Sequence, residues 1–399
     1  MKGLASLDVP TAYDRNSPCN DKLNYIPDLD HLNHTPIRYI RINFHFMLSE
    51  KGEGNFTGEE GVAFAHKVVR EANLNLRKNK KMNLPPGNVT PVIPQRYQYV
   101  ITPRPNVPDD RGVYYHYDDE LYWMVGKIGP HRNIFKKEVF EKYGIQKDTV
   151  LNVFVMATHP DSLKSPTFHV ENRGIAFGNW VKMGGWYNLC VDTNGNAINV
   201  GRYSVTKNLH HEIGHCLGLR HTWRGNDGCD DTPKNPGCWN KSSTPPCDVN
   251  WSNNIMDYNA HQSSWSPCQV GTTHYTMTNK KRKMRKMLES RWCVLKEDKK
   301  IAIEENIVWN GEKDLEGHLI IKDDATLTIR CRVSLPQAAK IIVYPKGQLI
   351  LDGATLENDC GDQWKGIEVW SFGRNQGTVQ FFNSPTIRNV ENEITWVED

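Results

Sequence analysis

One run of residues constrains this chain more than any other: His211-Glu212-Ile213-Gly214-His215-Cys216-Leu217-Gly218-Leu219-Arg220-His221. His211 and His215 are four apart, so on a helix they share a face, one turn from each other. Two imidazole nitrogens can then reach one metal ion at roughly 2.0–2.1 Å. Glu212, beside the first ligand, is placed for a carboxylate that takes a proton from water near the metal. Gly218 can end the helix in a left-handed turn and swing His221 back as a third ligand. Three protein ligands leave a fourth position open, as catalytic zinc sites do. Incidental histidines on a surface helix would not explain the glycine and the third histidine at this spacing.

A second, separate signal is Asn254-Ile255-Met256-Asp257-Tyr258. Together with Leu219-Arg220-His221-Thr222-Trp223 and Asp231-Thr232-Pro233, it makes the chain resemble the pappalysin family of metzincin zinc metalloproteases. The resemblance spans about residues 37–295 and is tightest over 205–280. It implies an α+β fold: a mixed sheet, a backing helix, an active-site helix and a mainly irregular lower part. It implies a zinc endopeptidase acting on extended protein or peptide substrates. His211, His215 and His221 would hold Zn2+, and Glu212 would be the general base. Met256 would form an apolar floor under the metal, and Tyr258 would lie within reach of the oxyanion. Standing alone, those two residues are core filler and an ordinary half-buried aromatic.

Ten cysteines favour an oxidising compartment, and so a secreted protein. Cys229, Cys238, Cys247 and Cys268 fall in a Gly/Pro/Asn-rich stretch with few core residues, where covalent staples make physical sense. Four cysteines allow three pairings; the family resemblance favours Cys229–Cys247 and Cys238–Cys268. A thiolate zinc site would call for close Cys-x-x-Cys pairs, which the stretch lacks. Cys331 with Cys360, and Cys19 with Cys293, are further candidate pairs, the second tying the ends of the protease-like part together. Cys216 is expected to be a small buried residue. Asp227, Asp230 and Asp231 follow the third histidine, a region where the resemblance implies Ca2+; clustered carboxylates suit a hard cation. Turn and capping chemistry is the competing reading.

Periodicity predicts strands at 37–48, 96–102, 113–118, 149–157 and from 174, with a helix over 58–81 and loop over 159–173. The resemblance runs the strand at 174–178 along the cleft, where an edge strand can pair with an extended substrate; a paired interior strand is the alternative. The active-site helix is predicted over 203–218, with Ser204 as a candidate N-cap. His210 points about 100° away from His211 and is set aside as a ligand, while His261 and His274 are expected to flank the cleft. A last helix is predicted over 276–292, its basic stretch 280–286 forming a solvated face.

Three segments follow: an N-terminal leader or prosegment (1–36), a metzincin-like catalytic domain (37–296) and an all-β module (297–399). The module holds short apolar runs at steady spacing, including Leu319-Ile320-Ile321, Leu327-Thr328-Ile329, Ile341-Ile342-Val343 and Leu349-Ile350-Leu351. These look like the opening rungs of a parallel β-helix, with a β-sandwich second. The pattern is still running at Asp399, so the module is expected to be truncated.

A net charge of +3 with signs well mixed gives no reason to invoke nucleic acid or an anionic membrane. No apolar run is long enough to span a bilayer. The first thirty residues lack the apolar core of a signal peptide, so secretion would mean that one has been removed. Two rivals to an active protease remain. One is a silent binding or adhesion protein with a vestigial zinc site, against which Glu212 stands. The other is a latent zymogen, with Cys19, Asp28 or Asp30 of the leader on the metal.

Overall fold

Arg38–Leu48 (β1) alternates buried and half-buried residues at first and is then buried throughout, the pattern of a strand covered on both faces. In the computed structural model, which describes residues 17–127, 129–191, 201–259 and 261–398, β1 lies within a six-stranded sheet. Tyr97–Ile101 (β2) and Val113–Tyr117 (β3) pair in parallel with its two halves. Leu151–Met156 (β4) pairs in parallel on its other side. Arg173–Ala176 (β5) forms the sheet edge, antiparallel to Trp180–Gly184 (β6), which itself runs parallel to β4. The strand at the cleft is therefore an edge strand.

Gly58–Arg77 (α1) buries Val62, Ala65, Val68, Val69, Ala72 and Leu76, the i, i+3/i+4 stripe expected of a helix backing a sheet. It stops at Arg77 rather than near Lys81. Three short helices follow, Glu138–Tyr143 (α2), Pro160–Lys164 (α3) and Trp186–Cys190 (α4); α3 lies where a loop was expected. Gly201–Cys216 (α5) packs against α1, α4, β5 and β6. The helix is already under way at Gly201, so Ser204 sits inside it and is not its cap; its carbonyl accepts from Asn172 Nδ2 at 2.7 Å.

Below α5 the chain is largely irregular. Pro267–Thr278 (α6) starts with a capping box between Ser266 and Gln269, and Lys283–Lys286 (α7) is a single turn. These two replace the helix expected over 276–292. The chain leaves helical geometry after α7 because its backbone is claimed by β1. Arg41 N–H donates to Met287 O at 2.7 Å, and Glu289 N–H donates to Tyr39 O at 2.8 Å.

From Ile301 onward the chain builds three sheets paired in parallel, apart from Asn375–Gln376, which runs antiparallel to Trp364–Phe372. Ile301–Ile303, Leu319–Ile321, Lys340–Val343 and Trp364–Phe372 follow one another in the first. Ile307–Trp309, Thr326–Ile329, Gln348–Asp352 and Thr378–Phe382 make the second. Lys313–Asp314, Arg332–Ser334, Thr355–Glu357 and Thr386–Ile387 make the third. The register stacks Ile301, Leu319, Ile341 and Ile367 in one column and Ile307, Leu327, Leu349 and Val379 in another. This parallel pairing is at odds with a β-sandwich, whose two sheets are antiparallel.

The disulfides are Cys19–Cys331, Cys229–Cys268, Cys238–Cys247 and Cys293–Cys360. None of the expected pairs, Cys229–Cys247, Cys238–Cys268, Cys331–Cys360 and Cys19–Cys293, forms. Asp231 Oδ2 accepts the N–H of Cys268 in the first turn of α6 at 2.9 Å, which docks the loop there and sets Cys229 beside Cys268. Asn235 Oδ1 accepts the N–H groups of Gly237 and Cys238, both at 2.8 Å, and Ser242 N–H donates to Cys247 O at 3.1 Å. This local turn brings Cys238 to Cys247. The leader and residues 291–293 both dock on the parallel-strand region, so Cys19 and Cys293 bond to that region rather than to each other. Cys190 and Cys216 are free and buried.

The same junction holds a buried ion cluster. Asp314, fully buried, accepts from Arg38 and Arg285 at 2.9 Å and from Arg332 at 2.8 Å. Arg285 also donates to Asp359 at 2.7 Å and stacks on Trp292, 3.8 Å from the ring centre. One member of the basic stretch 280–286 is thus an interior residue, not part of a solvated face. Among the described residues no helix is long and apolar enough to cross a membrane.

Candidate active site

Val205, Leu209 and Ile213 turn one side of α5 into the core, with Leu217 buried just past its end, leaving His211, Glu212 and His215 toward the lower part. Gly218 ends the helix at φ +90°, a left-handed conformation that glycine adopts without strain. Leu219 N–H donates back to Gly214 O at 2.9 Å, and the chain turns so that His221 Nε2 lies 3.1 Å from Nε2 of both His211 and His215.

The outer nitrogens decide the chemistry. His211 Nδ1 donates to Ile255 O at 2.8 Å, and His215 Nδ1 donates to Leu219 O at 2.9 Å. A carbonyl only accepts, so both Nδ1 atoms carry the proton and both Nε2 atoms present lone pairs. Lone pairs aimed at one another at 3.1 Å repel unless a cation lies among them. Tetrahedral zinc with ligands at roughly 2.0–2.1 Å spaces neighbouring ligand atoms ~3.3 Å apart, so these three residues fit the ion. Burial, reinforced by the neighbouring imidazoles, lowers His211 to about 3 and His221 to about 4, which keeps both in the neutral ligand form at ordinary pH.

Glu212 is buried, and burial pushes its carboxyl up to about 8. It lies against β5: a Cβ on Gly174 would come within 2.4 Å of Glu212 Cγ and 2.6 Å of its Oε1. Met256 is fully buried, and its sulfur would be 2.7 Å from a Cβ on Gly214, so the thioether packs directly against α5 between the two helical histidines. Asn254 Oδ1 accepts the Met256 N–H at 2.8 Å, and Gln262 Nε2 donates to Ile255 O at 3.0 Å and Asp257 O at 2.7 Å. Tyr258 is half-exposed, its ring centre 4.9 Å from that of His221 and 6.0 Å from that of His211.

A cleft of about 820 Å3 joins these groups, walled by β5, Phe135, α5, Tyr258, Asn259 and Gln262. No described leader residue lines it. Cys19 is in its disulfide, Asp28 accepts the Asp30 N–H at 3.0 Å, and the leader packs on α6, where a Cβ on Gly271 would be 2.5 Å from Lys22 O. Neither His261 nor His274 lines the cleft. His261 is exposed against Trp251, and His274 is buried with Arg38 and Lys313 acting on it. His210 turns inward, its Nδ1 3.0 Å from the Tyr99 hydroxyl. Asp227 accepts from the Thr232 hydroxyl at 2.7 Å, Asp231 from Cys268, and Asp230 is exposed. The loop itself uses the first two carboxylates.

Gly174, Gly214, Gln262 and Lys207 also belong to the site, with no expectation from the sequence to mark them. The two glycines carry no local signal, because their need comes from Glu212 and Met256 crossing from other segments. Lys207 did carry one: it precedes His211 by four residues, so it lies one turn up the same helical face.

The fold and the histidine cluster define a metalloprotease. Residues 136–278 match the family model Peptidase_M43, described as pregnancy-associated plasma protein-A, and this match, over the segment that holds the three histidines, supports a metalloendopeptidase. No curated protein matches the chain. Among solved structures, "Mirolysin in complex with compound 9" is 16% identical, covering 63% of this chain and 96% of that one, with TM-score 0.40. "Tannerella forsythia mature mirolysin in complex with a cleaved peptide" has the same identity and coverage, with TM-score 0.39.

Proposed function

We propose that the chain is a secreted zinc endopeptidase in which His211, His215 and His221 hold the ion and Glu212 is the general base. The observation that carries this is the convergence of three Nε2 atoms, that of His221 lying 3.1 Å from each of the other two, while two of the opposite nitrogens are tied to carbonyls. A zinc ion there would supply a Lewis acid and make water a nucleophile near neutral pH. Glu212 takes the proton of the attacking water and passes it to the leaving amine. Its burial raises proton affinity, and a cation held by the three histidines would offset that rise. Tyr258 donates to the oxyanion. The edge strand β5 offers backbone groups to an extended substrate, fixing the scissile carbonyl beside Glu212.

Residues 37–296 form the catalytic domain in this reading, 1–36 its leader, and 297–399 a parallel β-helix module attached to it. Four disulfides support an extracellular setting. A structural Ca2+ would draw on Asp227, Asp230 and Asp231, and would have to compete with the Thr232 hydroxyl and the Cys268 N–H.

The test is digestion of a diverse peptide mixture with new termini read by mass spectrometry. Wild type, chelator-treated protein and Glu212→Ala run side by side. Cleavage by the untreated wild type alone, with zinc retained in the variant, is the expected result. Equal cleavage by Glu212→Ala would overturn the assignment of the base.

A further inference from the structure

A second groove, of about 760 Å3, opens beside the C-terminal end of α5. It shares His215 with the catalytic cleft. Gly174, Ile175 and Ala176 of β5 line the cleft, and Gly178, just past the strand, lines the groove. The groove therefore continues from the cleft beyond the end of the edge strand. Its other walls are the leader at 20–22, the loop that carries Arg220 and Asp227, α6, and residues 282–284. These walls are pinned to one another. A Cβ on Gly271 of α6 would be 2.5 Å from Lys22 O, and Tyr25 packs edge-on to Tyr275 with ring centres 5.2 Å apart. Cys229–Cys268 ties the loop to α6.

Four cationic side chains line the groove, Lys22, Arg220, Arg282 and Lys283, against two carboxylates, Asp21 and Asp227. Both carboxylates are used by the segments that carry them. Asp21 accepts the Leu23 N–H at 2.9 Å, and Asp227 accepts the Thr232 hydroxyl at 2.7 Å. Lys22 donates to Gly228 O. Arg220, Arg282 and Lys283 are exposed, and among the described residues none of the three pairs with a carboxylate. Arg282 lies over the Tyr275 ring, 5.9 Å from its centre, a contact that consumes no hydrogen-bond donor. Other members of the same basic stretch are neutralised: Lys280 pairs with Glu357 and Asp359, and Arg285 with Asp314 and Asp359. The stretch thus divides into cations spent on the junction and cations turned to the groove.

We propose that this groove binds an acidic segment of the protein substrate, on the N-terminal side of the cut. The inference rests on the proteolytic reading above and names its substrate class. An extended substrate that pairs antiparallel with β5 runs its N-terminal side toward the end of that strand, and so toward Gly178. At roughly 3.4 Å per residue, a few residues beyond the paired segment enter the groove. A single exposed ion pair contributes little, so recognition calls for several carboxylates that engage Arg220, Arg282 and Lys283 together. Being part of the chain already held in the cleft, such a segment meets the groove at a high effective concentration. That favours an acidic stretch of the substrate over a free polyanion. A basic segment meets like charge there, so the groove discriminates by repulsion as well as attraction.

The experiment uses the full chain loaded with zinc and peptides identical around the cut. They carry a Glu, Gln or Lys tract either upstream or downstream of it. Wild type is compared with the double variants Arg282→Ser with Lys283→Ser and Arg282→Glu with Lys283→Glu. In wild type we expect the upstream Glu tract to lower KM about tenfold relative to Gln, with kcat little changed, and the gap to shrink as salt is raised. The double serine variant should bring the Glu-to-Gln ratio close to one, and the double glutamate variant should shift the advantage to the Lys tract, each read as a ratio within one variant. Equal KM for Glu and Gln tracts in wild type, the same ratio in the double serine variant, or an advantage for the downstream tract alone would overturn the proposal and leave the protease reading standing. A sulfated polysaccharide that binds wild type but not the double serine variant, with no advantage for the Glu tract, would assign the groove to that class and overturn the proposal as well. Absence of chelator-sensitive cleavage in wild type would remove the protease reading, and this proposal with it.

Discussion

The cleft and the parallel-strand region differ in how they are specified. In the parallel-strand region each inward residue repeats the job of the one below it: Leu319 on Ile301, Ile341 on Leu319, Ile367 on Ile341. Any of these positions asks only for an apolar side chain of fitting volume. In the cleft each position is singular. Glu212 needs Gly174 opposite it, Met256 needs Gly214, and His211 needs the carbonyl of Ile255. Repetition makes a region tolerant of substitution, whereas chemistry does not.

The largest effect should come from removing the one group in the cleft with no substitute. Glu212→Gln keeps the shape but loses the proposed proton acceptor, and should lower kcat/KM by about 10²–10⁴-fold at unchanged zinc content. Metal analysis beside peptide kinetics checks both. A loss of zinc in step with activity would mean that Glu212 acts on the site's assembly instead.

Next comes the junction, where singularity recurs outside the active site. Asp314→Asn removes the charge shared by Arg38, Arg285 and Arg332. Stranding buried cations costs roughly 3–5 kcal/mol, read as a lowered urea midpoint. The surrounding guanidinium groups hold the Asp314 carboxyl well below the usual carboxylate range, against the opposing pull of burial. With the folded pKa depressed, this contribution is fully present above the unfolded value of about 3.9 and fades as pH falls below it. The wild type and Asp314→Asn should therefore differ most at neutral pH and converge in strong acid.

Gly174→Ala probes the cleft by shape alone. Its new Cβ would sit 2.4 Å from Glu212 Cγ, so carboxylate or strand must shift. A misplacement of that order costs about 10²-fold in turnover, with little change in melting temperature expected at a sheet edge. An active Gly174→Ala enzyme would show that β5 moves freely.

These contrasts explain what the sequence discloses. The histidine motif and the strands of the sheet are local patterns that spacing records, whereas the Met256 turn is legible only through the family resemblance. The disulfides were misread because pairing depends on Asp231 capping α6 and Asn235 closing a turn, contacts between segments that spacing does not record. The helix α6 was missed because its buried face is mostly Thr, Gly and Cys, small residues chosen for close approach of the leader at Gly271. Arg285 was assigned to solvent because its partner Asp314 lies in the other region.

The smallest effect sharpens the comparison from the tolerant side. Ile342 lies between Ile341 and Val343 but points outward, only partly buried, and pairs with Ile320 and Glu368. Ile342→Thr keeps the β-branched shape that strands favour and gives up little buried area. Stability should change by less than about 0.5 kcal/mol, and kcat/KM should not change. A larger loss would mean that the outer face of this sheet is itself covered in solution. The repeating region would then contain singular positions of its own, and the contrast with the cleft would narrow to the inward columns alone.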